Sequence, residues 1–259
     1  MIDWLHGLSI GLLAVVVCTA TAIVTAAIFT IVTRLAVGKR AASFSAVSPG
    51  LLPPMALIFG LLIGFLAAEV WSDNSNAQVA VNREASALRT VNLLTRDFPG
   101  ADQRRMDALI RTYIQLTITR EWPAMAHQNA TLLQPSPQLA SALQLALSLP
   151  ARNSGQVVAQ REIVSSMDTA LDARRQRILI SESSVNWAKW AGVIGLGILT
   201  LIAVAFVHSA DRGSAAIAMT LFASAIAASV LMIAVQDRPF AGPFRVQPTP
   251  LVQVLPAPS

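Results

Sequence analysis

Cysteine, histidine and tyrosine are nearly absent from this sequence, which holds one Cys, three His and one Tyr among 259 residues. The single thiol, Cys18, lies inside an apolar run, which excludes an intrachain disulfide and a thiolate metal cluster. Histidines are scattered, and no HExxH, GxSxG or GxxxxGK string occurs, so the zinc-protease, serine-hydrolase and P-loop readings fall away. Charge is scarce too: Asp, Glu, Lys and Arg make up 13% of the chain, against roughly 25% in soluble domains. The net charge of +5 comes from dispersed Lys and Arg without interleaved aromatics, so no nucleic-acid partner is expected. No catalytic, cofactor-binding or metal-binding residues are assigned, and the chain is not read as an enzyme.

What the sequence has instead is hydrocarbon. Hydrophobic residues make up 54% of it, and the mean hydropathy is +0.57. Four apolar runs, Gly7–Thr33, Ala41–Ala68, Trp190–Val207 and Gly213–Gln236, carry no charged residue. A bilayer core about 30 Å thick needs roughly 20 such residues as a helix. None of the runs alternates with period two, so a β-barrel is excluded and helices remain. The chain is therefore expected to be an all-α, multi-pass integral membrane protein with four spans. Residues 1–71 form a transmembrane hairpin (spans about 8–33 and 51–71) and residues 189–236 a second one (spans about 190–207 and 214–236). Residues 72–188 form an extramembrane helical domain, and residues 237–259 a proline-rich tail. The segment before span 1 carries Asp3 and no Lys or Arg, so span 1 is read as a retained helix and not a cleaved signal.

Within the spans, two features bear on function. Thr21 and Thr25 lie one turn apart on span 1; their hydroxyls either bond back to their own helix or line a wet path. Span 2 holds Gly60-Leu-Leu-Ile-Gly64, a spacing that lets helix backbones approach closely, inside one subunit or between subunits. Glu69 follows at the end of the same apolar run. It is expected either to touch headgroup water or, if subunits surround an axis, to join a ring of carboxylates at a pore mouth, with Phe59 and Phe65 as apolar constrictions.

The polar middle reads as helices. Ala77, Val81, Ala85, Leu88 and Val91 recur at helical spacing, as do Met106, Leu109, Ile110, Tyr113 and Leu116. Phe98-Pro-Gly-Ala-Asp102 breaks the first helix, with Asp102 expected to cap the second; a last helix over about 156–180 is expected to run on toward Trp187. Glu84, Glu121 and Glu162 each neighbour an arginine and read as ion-paired helix residues. Arg174, Arg175 and Arg177 read as an anchor for acidic headgroups. Span 4 is dense in alanine, with Ala223/Ala227 and Ala225/Ser229 as close-packing faces. The prolines after Asp237 favour an extended, partly disordered tail.

Several strings together resemble a bacterial family, the bestrophin-like domain family. They are Phe59-Gly-Leu-Leu-Ile-Gly-Phe65, Val70-Trp71, Asn82-Arg-Glu-Ala-Ser-Ala-Leu88, Tyr113, Glu121-Trp-Pro-Ala-Met125 and Asp237-Arg-Pro-Phe-Ala-Gly242. The resemblance covers nearly the whole chain. It implies an architecture and carries no activity, since fold does not fix function. By its label it further implies a distant likeness to bestrophins, pentameric anion channels with a helical cytosolic part between spans 2 and 3. No bestrophin pore or calcium-site residue has a counterpart that can be named here.

Basic residues give a divided orientation signal. Arg34, Lys39 and Arg40 after span 1 favour an outside domain, whereas the count near all span ends, Arg83, Arg89, Arg174, Arg175, Arg177, Lys189, Arg238 and Arg245 against Arg34, Lys39, Arg40 and Arg212, favours an inside one. With the resemblance added, both termini and residues 72–188 are placed in the cytoplasm, and the protein in the bacterial inner membrane. Two functions are expected to compete: an oligomeric ion channel or channel-like protein conducting an inorganic ion, and a membrane-anchored interaction or signalling module acting through residues 72–188. The expected partners are the lipid bilayer and further copies of the chain.

Overall fold

The computed structural model describes residues 9–36, 44, 49–132 and 136–256. The chain is 82% helical, with no β-strand among the described residues, so it is all-α as its periodicity predicts. Among the described residues run α-helices α1 (Ile10–Leu35), α2 (Leu52–Leu94), α3 (Gly100–Leu116), α4 (Trp122–Ala126), α5 (Pro137–Ser148), α6 (Ser154–Ser181), α7 (Trp187–Val207), α8 (Arg212–Gln236) and α9 (Thr249–Val252). A π-helical stretch, Thr117–Glu121, joins α3 to α4. The chain divides into two compact units, Met1–Trp71 with Ser184–Asp237, and Ser72–Ser183 with Arg238–Ser259. Lys39 and Arg40, which enter the orientation argument, lie outside the described residues.

The first unit holds the apolar helices. Among the described residues, four helices are long and apolar enough to cross a membrane, and only 11–33% of each apolar stretch is buried within the chain. In water those outward faces would be a large exposed apolar surface; in hydrocarbon they match their solvent. Helix ends are satisfied locally. Ser9 Oγ accepts the Leu12 N–H at the start of α1, and the Asp211 carboxylate accepts the N–H groups of Gly213 and Ser214 (3.3 and 2.9 Å) at the start of α8. The core combines Phe59 and Leu66 of α2 with Val193 and Leu201 of α7, Met219, Ile226 and Ile233 of α8, and Ile28 and Val32 of α1. Ala223 and Ala227 are buried as expected, whereas Ala225 faces outward.

In the second unit, α3, α5 and α6 pack with the later part of α2. The helical-spacing reading identifies this core well: Ala77, Val81, Leu88, Val91, Met106 and Ile110 are all fully buried. Two local expectations are corrected. Asp102 does not cap α3, which begins at Gly100 after Pro99; Asp102 sits in the first turn, where the helix dipole still favours an acid. The last helix does not run on to Trp187 but stops at Ser181. Ser183 Oγ donates to Asp73 (2.9 Å), and Asn186 Oδ1 accepts the Ala188 N–H (3.1 Å) to start α7 afresh. Short polar side chains that offer the backbone such alternatives explain the break.

The largest departure is the tail. Read as extended and partly disordered, it instead completes the core of the second unit, with Phe240 1% and Leu251 0% exposed. The Val246 N–H donates to Pro239 O (2.8 Å), Asn92 Nδ2 to Val254 O (3.1 Å) and Trp122 Nε1 to Val246 O (3.3 Å). Proline-rich chain has less conformational entropy to lose, so a few apolar anchors suffice to fix it. Pro250 stands in the first turn of α9, where its missing N–H costs nothing.

Candidate functional site

Helix α2 has two unlike faces within the first unit. One carries Phe59, Leu66 and Val70, each at most 7% exposed. Phe59 sits 6.1 Å from Phe222 between ring centroids, inside the core. The other face is open: Leu57, Leu61 and Phe65 are 64%, 51% and 71% exposed. Gly60 and Gly64 belong to the open side, and a Cβ built on either meets no atom within 4 Å. Of the three residues expected to line a path, Phe65 and Glu69 therefore lie one turn apart at an edge of the open face, whereas Phe59 points into the subunit. Among the described residues, none packs on Gly60 or Gly64 inside the subunit. A glycine of the first unit that does stand against packed side chains is Gly197 of α7, where an added Cβ would lie in van der Waals contact, 3.5 Å from both Phe59 and Ile226.

Glu69 is not a free carboxylate. Its two oxygens both face the Lys189 ammonium of α7, and each side chain is a little under half exposed. Lys189 occupies the first turn of α7, the end where the helix dipole disfavours a cation, and a carboxylate beside it offsets that. Trp71, midway along α2 and two residues after Glu69, and Trp187, the first residue of α7, are 48% and 79% exposed, as aromatic side chains are at a membrane–water boundary.

Two grooves open on the first unit. One, of about 520 Å³, runs between α1 and α8 and brings Thr21 and Thr25 opposite Thr220 and Ser224. Each of these hydroxyls donates to the carbonyl four residues back in its own helix, at 2.8 Å. The Thr21/Thr25 stripe is thus bonded to its own backbone. A second groove, of about 300 Å³ and almost wholly apolar, lies among α1, α7 and α8.

The second unit contains a buried ionic cluster. Arg177 of α6 is fully buried and grips Glu84 of α2 through Nε–Oε2 (2.8 Å) and Nη2–Oε1 (3.2 Å). The same Nη2 lies 2.6 Å from Glu121 Oε1, and Arg174 Nη2 lies 2.6 Å from Glu121 Oε2. The Tyr113 hydroxyl donates to Glu84. The Arg177 guanidinium lies 5.1 Å from the centre of the Trp122 ring, which meets Phe240 edge-on at 5.5 Å. Two cations balance two carboxylates, so the cluster is neutral as a whole.

Local backbone explains how Glu121 gets there. Pro123 cannot donate to the carbonyl four residues back, and its ring would strike that carbonyl. The helix widens to π form over Thr117–Glu121 just before it, re-aiming Glu121 and Trp122. Burial works against the Arg177 cation, but the Glu84 charge foremost, with Tyr113 and Glu121, outweighs it and raises the pKa further. Burial, then the Glu84 charge, pushes the Tyr113 hydroxyl well above the usual tyrosine range.

A family model described as Bestrophin-like domain matches residues 19–251. The chain belongs to the bestrophin-like domain family. No curated protein and no solved structure matches it. With its four apolar helices, this bestrophin-like chain is a membrane protein.

Of the strings that carry the family resemblance, those of the second unit converge in space. Glu84, Glu121, Trp122 and Met125 each meet Arg177, with Tyr113 bonded to Glu84 and Phe240 against Trp122 behind them. Reading Arg174 and Arg177 as headgroup anchors is therefore corrected: both are buried, and only Arg175 of the three is exposed. The signal available was their spacing. Positions 170, 173, 174 and 177 share one helix face, and Ala170 and Ala173 mark that face as the inner one.

Proposed function

We propose that this protein is a subunit of an oligomeric, channel-like membrane protein of the bacterial inner membrane, with the open face of α2 lining a path shared between copies for an inorganic ion. One observation carries the reading. Span 2 holds Leu57, Leu61 and Phe65 outward, with the two glycines unfilled between them, while its opposite face is spent on the subunit core. An apolar neck of Phe65 and Leu61 next to a charged edge at Glu69 is a chemically sensible arrangement for gating by dewetting. Membership of the bestrophin-like family supports it.

The test combines particle symmetry and mass in detergent with ion flux in liposomes. A closed ring that conducts, and a raised leak in Phe65→Ala, are expected. A monomer without flux under any voltage, pH or calcium concentration would overturn the reading. It would favour instead a membrane-anchored interaction module, for which Leu93, Leu147 and Val158, 60–66% exposed on the helical unit, supply the apolar contacts.

A further inference from the structure

The open edge of α2 ends in a pair of opposite charges and not in a bare acid. Glu69 and Lys189 come from different spans, at the ends where α2 leaves and α7 enters the apolar layer. Lys189 stands in the wrong half of its helix for a cation, so the local field favours a carboxylate beside it. Asp237, the other acid at this end of the first unit, is 7% exposed and accepts the Val185 N–H at 2.7 Å, so it is turned into the unit. Asp73, one turn beyond Glu69 along α2, accepts the Ser183 hydroxyl at 2.9 Å. Among the described charges of the first unit, the half-exposed ones at this edge are thus one acid and one base.

We infer that Lys189 is a selectivity-determining residue, and that the Glu69–Lys189 pair holds the mouth of the path electrically neutral. The inference rests on the channel reading above and adds to it the residue whose charge cancels that of Glu69 and so keeps the mouth from selecting by sign. Rings of unpaired charge at a pore mouth select by sign. Here each copy contributes a dipole in place of a net charge. Removing the acid unmasks an ammonium, and removing the base unmasks a carboxylate. The pair is too exposed to contribute much to stability, so either change alters the field more than the fold.

The experiment is reversal potential in asymmetric salt for the full-length protein in planar bilayers. Glu69→Gln is expected to shift permeability toward anions and Lys189→Gln toward cations. Each shift should be about threefold, the size of change that one unit charge acting through water at several ångströms produces. The exchange Glu69→Lys with Lys189→Glu should return toward wild type, and all shifts should shrink as salt is raised. A purely structural pair would instead move both single variants the same way, in amount of current and not in sign. Wild-type current with unchanged or same-direction selectivity in both variants overturns this inference alone. Absence of wild-type current overturns the channel reading and this inference with it.

Discussion

Arg177 and Glu84, 93 positions apart in the chain, form a two-pronged ion pair from which both side chains are wholly shielded from solvent. Such pairs are poor sources of stability against an apolar alternative, because desolvation offsets the attraction. Losing one partner, however, strands the other charge in the core.

That asymmetry gives the first prediction. Arg177→Met should lower the unfolding free energy by about 3–5 kcal/mol, since Glu84 and Glu121 both lose their shared cation. Glu84→Leu in the same background should recover part of the loss. Denaturant unfolding of the two single variants and the double, arranged as a cycle, reads the coupling; strict additivity would mean that the two side chains do not interact.

Tyr113 gives the second. It is the sole tyrosine of the chain, so tyrosinate absorbance reports on it alone. Its folded pKa is raised above the ordinary value of 10.0, so its contribution is complete below about pH 10 and is lost as pH rises through the folded value. Wild type should therefore lose stability above pH 10 with Tyr113 still protonated, and ionise it on unfolding. Tyr113→Phe should cost about 1.5–3 kcal/mol at neutral pH, the worth of a hydrogen bond to a charged group, and show a shallower alkaline limb. Native-state ionisation near pH 10 would contradict the burial of this hydroxyl.

The third contrasts glycines. Gly197→Leu should destabilise the subunit by at least about 1–3 kcal/mol, because Phe59 and Ile226 already stand at contact distance. Gly60→Leu and Gly64→Leu meet open space within the chain and should leave subunit stability nearly unchanged while reducing the size of the detergent-solubilised particle. Comparing thermal melting with particle mass separates the two effects; equal loss of melting temperature in all three would show that α2 has no open face.

Much of this architecture is legible from residues alone. Charge-free runs give the spans, because lipid tolerates few alternatives. Helical spacing finds Ala77 through Val91, because a period of 3.6 marks a buried stripe directly. The buried cluster is not legible in that way. Glu84 and Glu121 each stand beside an arginine in sequence, yet their partners are Arg177 and Arg174, far along the chain and on another helix. Charge invites a surface reading, and only the shared face with Ala170 and Ala173 argues otherwise. The orientation of α2 was equally hidden, since Phe59 and Phe65 look alike in a uniformly apolar run and are assigned by what packs against them.

The packed tail also sets an order of events during synthesis. The helical unit is begun by residues 72–183, but Phe240, Val246, Leu251 and Val254 belong to the same core and are translated only after α7 and α8. A nascent chain halted anywhere before residue 240 carries an exposed slot against Trp122 and Asn92 that no earlier residue fills. The unit therefore waits, unfinished, while the last two apolar helices emerge. That interval is when a chaperone or a protease would find it.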